Sequence, residues 1–424
     1  MHFQLASLNL SEAAPDLDAD GALAPETLFA KGDSALAKVL HRGPFHSSST
    51  VQNAAYASFL ETPIGIAVLV LARRLISSRP SIAKNWSLCK KYLENTVKIA
   101  CSAEREIDED GCEVLYGRAG LLYGLLYLKK ALNDFSSSSI FSSLQEDFIS
   151  EYYDSLKGLV SDGTLQQVVE SIIIRGKHGS RIYSQEFRNH RTPPLPPLMW
   201  IWHGKRYLGG AHGVAGILQV LLSCPNVVIE PHLVEIIPTI EWLVGLQDLA
   251  GNWPTKAPSN YREGHQVNEL VQWCHGAPGM LILLTTLLRR APGDVPQELR
   301  DKIISSLRCG AAVVYEQGLL RKGVGICHGV AGSVFALLAV SDALDADSEE
   351  RPYLTFALHL AHLATFYESF TAQGHMRTPD HPWSLYEGVA GMCCAWGEVL
   401  RRMGSETLRS LECSGQPGYD DLFT

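Results

Sequence analysis

The chain has 424 residues, of which 46% are hydrophobic, so its length and composition allow a large buried core. Its 36 Lys and Arg against 45 Asp and Glu give a formal net charge of −9, and no long basic run is present, which argues against nucleic acid as a partner. The longest apolar stretches, such as residues 64–72, fall short of the roughly 20 residues of a membrane span, so no transmembrane helix is predicted.

The first 50 residues begin with an acidic stretch that contains Glu12, Asp16, Asp18 and Asp20. This stretch lacks the basic start and the apolar run of a secretory signal. We therefore expect residues 1–50 to form an acidic segment and a helix, partly disordered. We expect the protein to act in the cytoplasm, with the nucleus or the surface of a membrane as alternatives.

A short glycine motif recurs from residue 51 onward. Two glycines separated by two residues precede a strongly apolar run, and from Gly213 the motif returns every 53 to 63 residues. A regular period of this length is typical of repeat architectures. The five clear copies begin at Gly117, Gly213, Gly276, Gly329 and Gly388, and Thr62-Pro-Ile-Gly65 is a degenerate sixth.

Each motif is followed by two segments of different character. The first is apolar on all sides, as in residues 217–222, and the second is amphipathic, as in residues 232–248. A buried helix paired with an amphipathic one, repeated along the chain, favours two concentric rings of helices. We predict an all-α fold, an α/α toroid (a double-layered helical barrel) of six or seven tandem helix-pair repeats.

The predicted toroid covers residues 51–405 and is followed by a C-terminal tail over residues 406–424. An insertion is expected around residues 133–200, because the interval between Gly117 and Gly213 is longer than the others and contains Ser- and Pro-rich stretches. A seventh repeat is not recognisable between residues 23 and 60. The sequence therefore leaves open how the ring closes.

Two of the ten cysteines lie in glycine-rich turns beside a histidine, Cys274 next to His275 and Cys327 next to His328. Because the loop before each motif enters an inner helix at its N-terminus, all such loops gather at one end of the ring. Zinc binds thiolate and imidazole, and three protein ligands leave a fourth position for water or substrate. No pair has the Cys-x-x-Cys spacing of a zinc finger, so two core cysteines near helix starts are the alternative.

Four segments carry a specific combination of residues: Gly-Gly-Ala-His212-Gly, Trp273-Cys274-His275-Gly, Cys327-His328-Gly and Leu385-Tyr-Glu-Gly388. Over about residues 62–401, this combination resembles the lanthionine synthetase C-like family, in particular its eukaryotic LanC-like members. The resemblance implies Zn²⁺ held by Cys274, Cys327 and His328, with glutathione as cosubstrate. It also implies a reaction that adds the glutathione thiol to dehydroalanine or dehydrobutyrine residues in proteins or peptides.

The resemblance implies roles for three more residues near the metal. His212 would protonate the α-carbon after the thiolate attacks the β-carbon, since an acid must complete the addition. His275 and Trp273 are assigned to the same catalytic site beside Cys274. The alternatives are a histidine that bridges a tight turn at His212 and ordinary packing of the indole at Trp273.

Glutathione carries two carboxylates and one amine, which call for complementary charges near the metal. Lys322 and Arg377 match family positions linked to glutathione, and Asp380 is a candidate partner for the amine; with Thr378 and Pro379 they are the predicted glutathione contacts. Arg377 is suited to bidentate pairing with a carboxylate, whereas Lys322 would act as a point charge. The alternatives are solvated surface charges and, for Asp380, an Asx-turn.

Two other functions stay open at the level of sequence. One is a non-catalytic zinc- and glutathione-binding scaffold that regulates partners. The other is a glycoside hydrolase, since helical rings also host such enzymes, but these need paired carboxylates and only Glu113 and Glu387 are candidates. Glu113 and Leu270 stand where the bacterial cyclases of the family carry another acid and an arginine, which argues against strict lanthionine ring formation.

Overall fold

The structure is a computed structural model that describes residues 1–8, 10–13, 18, 20–43, 45, 54–77, 79–102, 110–137, 147–186, 195–258, 268–346, 348–404 and 415–422. Within these ranges the regular structure is helical, and β-type pairing is limited to three isolated bridges. In chain order the helices are α1 His2–Ser7, α2 Leu10–Ala13, α3 Pro25–His41, α4 Pro63–Arg74, α5 Pro80–Cys101, α6 Arg118–Ser136, α7 Asp147–Leu159, α8 Asp162–Gln185, α9 Val214–Leu222, α10 Asn226–Ile229, α11 Leu233–Val244, α12 Ala277–Arg290, α13 Gln297–Gln317, α14 Val330–Leu344, α15 Pro352–Ala364, α16 Tyr367–Ala372 and α17 Val389–Met403.

Six helices, α4, α6, α9, α12, α14 and α17, form the inner ring. Each begins within or directly beside one of the glycine motifs, and each packs against the next inner helix along the chain. Their sequences are predominantly apolar, so most of their surface must be buried. All nine residues of α9 and the first twelve of α12 are buried. The predicted inner helices are therefore confirmed.

Five amphipathic helices, α5, α8, α11, α13 and α15, pack outside the inner ring. Each buries its apolar residues against inner helices or its outer neighbours and turns most of its charges to solvent; Arg175 of α8 is a buried exception. The fold is thus the predicted double-layered α/α toroid. In the long interval, α8 contacts both α5 and α6 and is the outer helix there. The remainder of the expected insertion contributes α7, while residues 138–146 and 187–194 lie outside the described ranges.

The N-terminal helices occupy the position where the sequence showed no recognisable repeat. Helices α1 and α2 pack against α17, the last inner helix, and α1 also packs against α3, which contacts α4 and α5. Arg73 of α4 donates to Asp33 of α3 at 2.7 Å, and both side chains are buried. The ring is therefore closed by helices from the N-terminal 50 residues. Residues 14–17 and 46–50, in the segment expected to be partly disordered, lie outside the described ranges.

The end of the chain differs from a solvent-exposed tail. Residues 416–422 are all buried, and Gln416 and Tyr419 have no exposed surface. Residues 405–414, which connect α17 to this segment, are not described. As for membrane association, none of the described helices combines the length and the apolar character that crossing a bilayer requires.

Candidate metal centre

The loops that enter the inner helices are joined to one another by backbone hydrogen bonds. Each loop donates one N–H to the carbonyl of the next, which produces a chain of bonds around one end of the toroid. We call this arrangement the loop ring. Its bonds are Ala57 N to Tyr116 O (2.7 Å), Val114 N to Ala211 O (3.2 Å), Gly210 N to Trp273 O (3.1 Å), Cys274 N to Cys327 O (3.2 Å) and Cys327 N to Tyr386 O (2.7 Å).

Two glycines show why the motif loops can approach so closely. A Cβ at Gly209 would overlap the carbonyl of Cys274, and a Cβ at Gly325 would overlap the backbone of Glu387. Any side chain at these positions would push adjacent loops apart. The glycines therefore permit the contact that brings residues from separate repeats together.

Cys274, Cys327 and His328 meet in the loop ring. One ligand atom from each residue lies within 4.8 Å of the other two, and this is the metal-type cluster found among the described residues. Ligands on a tetrahedral zinc are about 3.5–3.8 Å apart, given Zn–S and Zn–N bonds of about 2.3 and 2.0 Å. Small side-chain rotations would bring the three atoms to that spacing. Two thiols and an imidazole are also the donor chemistry that zinc prefers, so these residues fit the metal.

The two thiols are electrostatically unequal. The pKa of Cys274 is lowered well below its usual value, first because the Cys327 thiol donates a hydrogen bond to it, with His328 adding a second. The same pairing, reinforced by burial, raises the pKa of Cys327 well above its usual value. The two thiols therefore form a hydrogen-bonded pair in which one sulfur is stabilised as a thiolate by its neighbour.

Asn252 holds the loop that carries Cys274, and sequence analysis did not single it out. Its side-chain amide donates to the carbonyls of Asn268 (2.7 Å) and Leu270 (3.2 Å), and its oxygen accepts from the N–H of Ala277 (2.8 Å). Asn252 is almost completely buried. Both ends of the Cys274 loop are thereby fixed to one rigid side chain.

His212 is paired with Glu113, which lies 99 residues earlier in the chain. Its Nδ1 is 3.0 Å from Glu113 Oε2, and this carboxylate also accepts the N–H groups of Leu115 (2.7 Å) and Tyr116 (2.6 Å). Glu113 has only 1% of its surface exposed, whereas the His212 side chain is 21% exposed. The buried carboxylate fixes Nδ1 as the donor and leaves Nε2 on the other side of the ring. Glu113, which the sequence offered as a candidate hydrolase acid, is thus part of the histidine site.

Aromatic rings surround the two histidines. The ring of His212 is stacked parallel to Trp202, with 5.4 Å between centroids, and Tyr207 lies between the two histidines at 6.1 Å from His212 and 5.3 Å from His275. The pKa of His275 is lowered, mainly by burial. Its imidazole is therefore neutral at physiological pH.

Trp273 lies behind the cysteines. Its indole has no exposed surface, and its ring packs edge-on against Tyr386 and Tyr419, at 5.2 and 5.1 Å between centroids. A side chain without exposed surface cannot reach a substrate. Its contacts favour the packing alternative over the predicted catalytic role.

The predicted glutathione contacts lie on two adjacent loops at the same end of the toroid. The N–H of Arg377 donates to the carbonyl of Arg321 (2.7 Å), and Pro379 packs over Gly323, so the loops bearing Lys322 and Arg377 are in contact. Lys322 Nζ is 3.4 Å from Gln272 Oε1, two residues before Cys274. Arg377, Thr378 and Asp380 are exposed and Pro379 is half-buried. The exposed side chains of the Arg377 loop are open to a ligand, and the adjoining loop carries Lys322, which contacts the Cys274 loop.

The fold and the site together define the class of this protein: an α/α toroid with a Cys-Cys-His cluster of metal-ligand type at the N-terminal ends of its inner helices. The family model for lanthionine synthetase C-like proteins matches residues 50–405, which is most of the chain. The protein therefore belongs to the LanC-like family.

Two curated relatives support this membership. "Glutathione S-transferase LANCL1" of Danio rerio is 30% identical over 290 residues, and "LanC-like protein GCL1" of Arabidopsis thaliana is 31% identical over 310 residues. The matches cover 68% and 73% of this chain but only 59% and 57% of those proteins. Among solved structures, the nisin cyclase is 14% identical with a TM-score of 0.43, covering 94% of this chain and 99% of the cyclase.

Proposed function

We propose that the protein binds Zn²⁺ through Cys274, Cys327 and His328 and adds the thiol of glutathione to dehydroalanine or dehydrobutyrine residues in proteins or peptides. The observation that carries this proposal is the convergence of these three side chains, from two separate repeats, within 4.8 Å. Membership in the LanC-like family and the transferase name of one relative add support. Thiol addition of this kind needs a reduced thiol pool, so we place the activity in the cytoplasm.

Bound zinc would lower the pKa of the glutathione thiol and supply a thiolate at neutral pH. A new bond then forms between sulfur and the β-carbon, and the electron pair of the alkene moves to the α-carbon. His212, positioned by Glu113, returns a proton to that carbon. The proton lost by the thiol equals the proton gained by the product, so no oxidant or further reactant is needed.

The charged loops beside the metal would hold glutathione in place. Arg377 can bind one carboxylate through two parallel N–H groups, and Lys322 can balance the other as a point charge. Asp380 would accept a hydrogen bond from the protonated amine of glutathione. His275, held neutral by burial, can donate or accept a hydrogen bond beside the sulfur without adding positive charge.

The experiment mixes the protein with glutathione and a dehydroalanine peptide and follows the adduct by mass spectrometry. We expect the wild type to form the adduct and Cys327→Ala to lose it. Cys309→Ala is the matched control, because Cys309 is an exposed cysteine on α13 away from the loop ring, and it should keep full activity. Absence of the adduct from a wild type that binds zinc would refute the enzyme and leave the non-catalytic scaffold.

A further inference from the structure

The buried C-terminal segment, residues 415–422, contacts the last loop of the loop ring. The hydroxyl of Tyr386 donates to the carbonyl of Pro417 at 2.9 Å. The carbonyl of the same Tyr386 accepts the N–H of Cys327, whose own carbonyl accepts the N–H of Cys274. One continuous series of hydrogen bonds therefore runs from the C-terminal segment to both cysteines.

A second contact joins this segment to the other side of the cysteine site. The ring of Tyr419 meets Trp273 edge-on, with 5.1 Å between centroids and an angle of 88°. Trp273 directly precedes Cys274 and has no solvent-exposed surface. Aromatic pairs in this geometry add stabilisation beyond the area that they bury. Tyr419 thus contacts the Cys274 loop through the ring of Trp273, while Pro417 contacts the Cys327 loop through its hydrogen bond with Tyr386.

The segment also reaches the beginning of the toroid. Asp421 accepts the hydroxyl of Tyr123 on α6 at 2.8 Å, and Gly418, at φ +84°, lies against Leu60 and the Tyr386 hydroxyl. The positive φ and the close approach both favour glycine at position 418. The segment therefore spans the gap between the last loop of the ring and the first two repeats.

We infer that residues 415–422 are a brace that completes the loop ring and holds the Cys274 and Cys327 loops in position to bind a metal. Tyr386 and Tyr419 are positioning residues, because both act through the cysteine loops that they contact. This inference rests on the proposed metal centre for its function, but the contacts that define the brace do not depend on the metal.

The test compares two tyrosine-to-phenylalanine changes that are chemically identical. Tyr386→Phe removes the hydroxyl that bonds Pro417, and Tyr152→Phe removes a buried hydroxyl that bonds the carbonyl of Leu71 at 2.8 Å, far from the cysteines in sequence and in fold. Each variant loses one tyrosine-to-carbonyl bond, which is part-buried at Tyr386 and fully buried at Tyr152. Only Tyr386→Phe should alter the cysteine site.

The first measurement is the alkylation rate of Cys274 in metal-free protein, followed by mass spectrometry of the modified peptides. We expect Tyr386→Phe to raise the rate severalfold over both wild type and Tyr152→Phe, because the loop is no longer held. Tyr419→Leu, which keeps an apolar side chain against Trp273 but removes the ring, should act in the same direction. Equal rates in all variants would overturn the brace, whatever the protein binds.

The second measurement is zinc affinity, by competition with a chromophoric chelator at a temperature well below unfolding. Loss of an outer support typically weakens metal binding by about 10–100-fold, so we expect about a tenfold weaker Kd for Tyr386→Phe and an unchanged Kd for Tyr152→Phe. Equal affinities in the two variants would count against the brace. A wild type that binds no zinc would refute the metal centre instead, and the alkylation rates would still decide the brace.

Discussion

At the two ends of the inner ring, the unpaired backbone groups of the helices find hydrogen-bond partners in different ways. At the N-terminal end, the first N–H groups of the helices are satisfied by loop carbonyls, as when Val214 and Ala215 donate to Tyr207 and Leu208 at 3.1 and 2.9 Å. At the C-terminal end of α9, an arginine side chain satisfies the last carbonyl: Arg290 donates to Leu222 at 3.2 Å. Free helix termini must find such partners in either case.

The difference determines which end is available for chemistry. Where backbone groups cap one another, side chains such as Cys274 and His212 are left for ligands. At the other end, arginine side chains are engaged in structure: Arg290 also donates to the carbonyl of Cys224, and buried Arg402 pairs with Glu398 and Asp342. The charged residues at the C-terminal end therefore stabilise the fold, whereas the thiols and histidines at the N-terminal end remain available to bind ligands.

The largest expected effect is on metal binding. Cys274→Ala removes one of three ligands, so stoichiometric zinc in the wild type should fall to a trace in the variant after desalting, as measured by elemental analysis. Stability should change little in the metal-free proteins, because the side chain is small. Full zinc content in Cys274→Ala would mean that the functional end lies elsewhere.

Arg402→Met should have the largest effect on stability. The substitution removes the guanidinium that pairs with buried Glu398 and with exposed Asp342, while Glu398 keeps Arg401 as a partner. We expect a cost of about 3 kcal/mol from the lost charge-assisted hydrogen bonds. Urea unfolding followed by circular dichroism would measure the loss. Zinc content under native conditions should equal that of the wild type. A cost below about 1 kcal/mol would contradict the structural role of this end.

Glu113→Gln tests the functional end without touching a metal ligand. His212 would lose the carboxylate that fixes its tautomer, and general acid catalysis typically contributes a factor of about 100 or more. We expect kcat for adduct formation to fall about 100-fold, with zinc content and the KM for glutathione unchanged. A variant with wild-type kcat would remove His212 from the proposed proton transfer.

The smallest expected effect concerns Asp420, which lies in the buried C-terminal segment. Burial raises its pKa to about 7, with Asp421 and Asp342 opposing its charge and Arg289 favouring it. An unfolded aspartate titrates near 3.9, so the folded state disfavours the ionised form. Stability from this group is intact below about pH 4 and is lost as pH rises through about 7.

Asp420→Asn should therefore stabilise the protein at high pH only. We expect a gain on the order of 2 kcal/mol at pH 8 that shrinks toward zero by pH 4, measured as the pH dependence of urea unfolding. The amide oxygen can still accept the N–H of Gln416, which bonds Asp420 at 2.6 Å. A difference between the two proteins that does not vary with pH would show that Asp420 does not titrate in this range.

Much of the site followed from local patterns. The period of the glycine motif places Cys274, Cys327 and His328 at the starts of inner helices, and in a closed ring such starts share one end. The partner of His212 could not be read in this way, because Glu113 lies 99 residues away and nothing local specifies the contact. One signal was present: Glu113 also stands in a loop that precedes a motif.

The sequence by itself determined the helices, their order in two rings and the end at which the thiols lie, because these depend on periodicity, on glycines and on apolar composition. Only the tertiary structure decided how the ring closes and what holds the cysteines. The N-terminal helices carry no motif, and the final segment, Gly415–Leu422, contains too few apolar residues to predict burial. Both find their places through contacts with residues hundreds of positions away, such as Tyr123 with Asp421, and such contacts leave no periodic trace in the sequence.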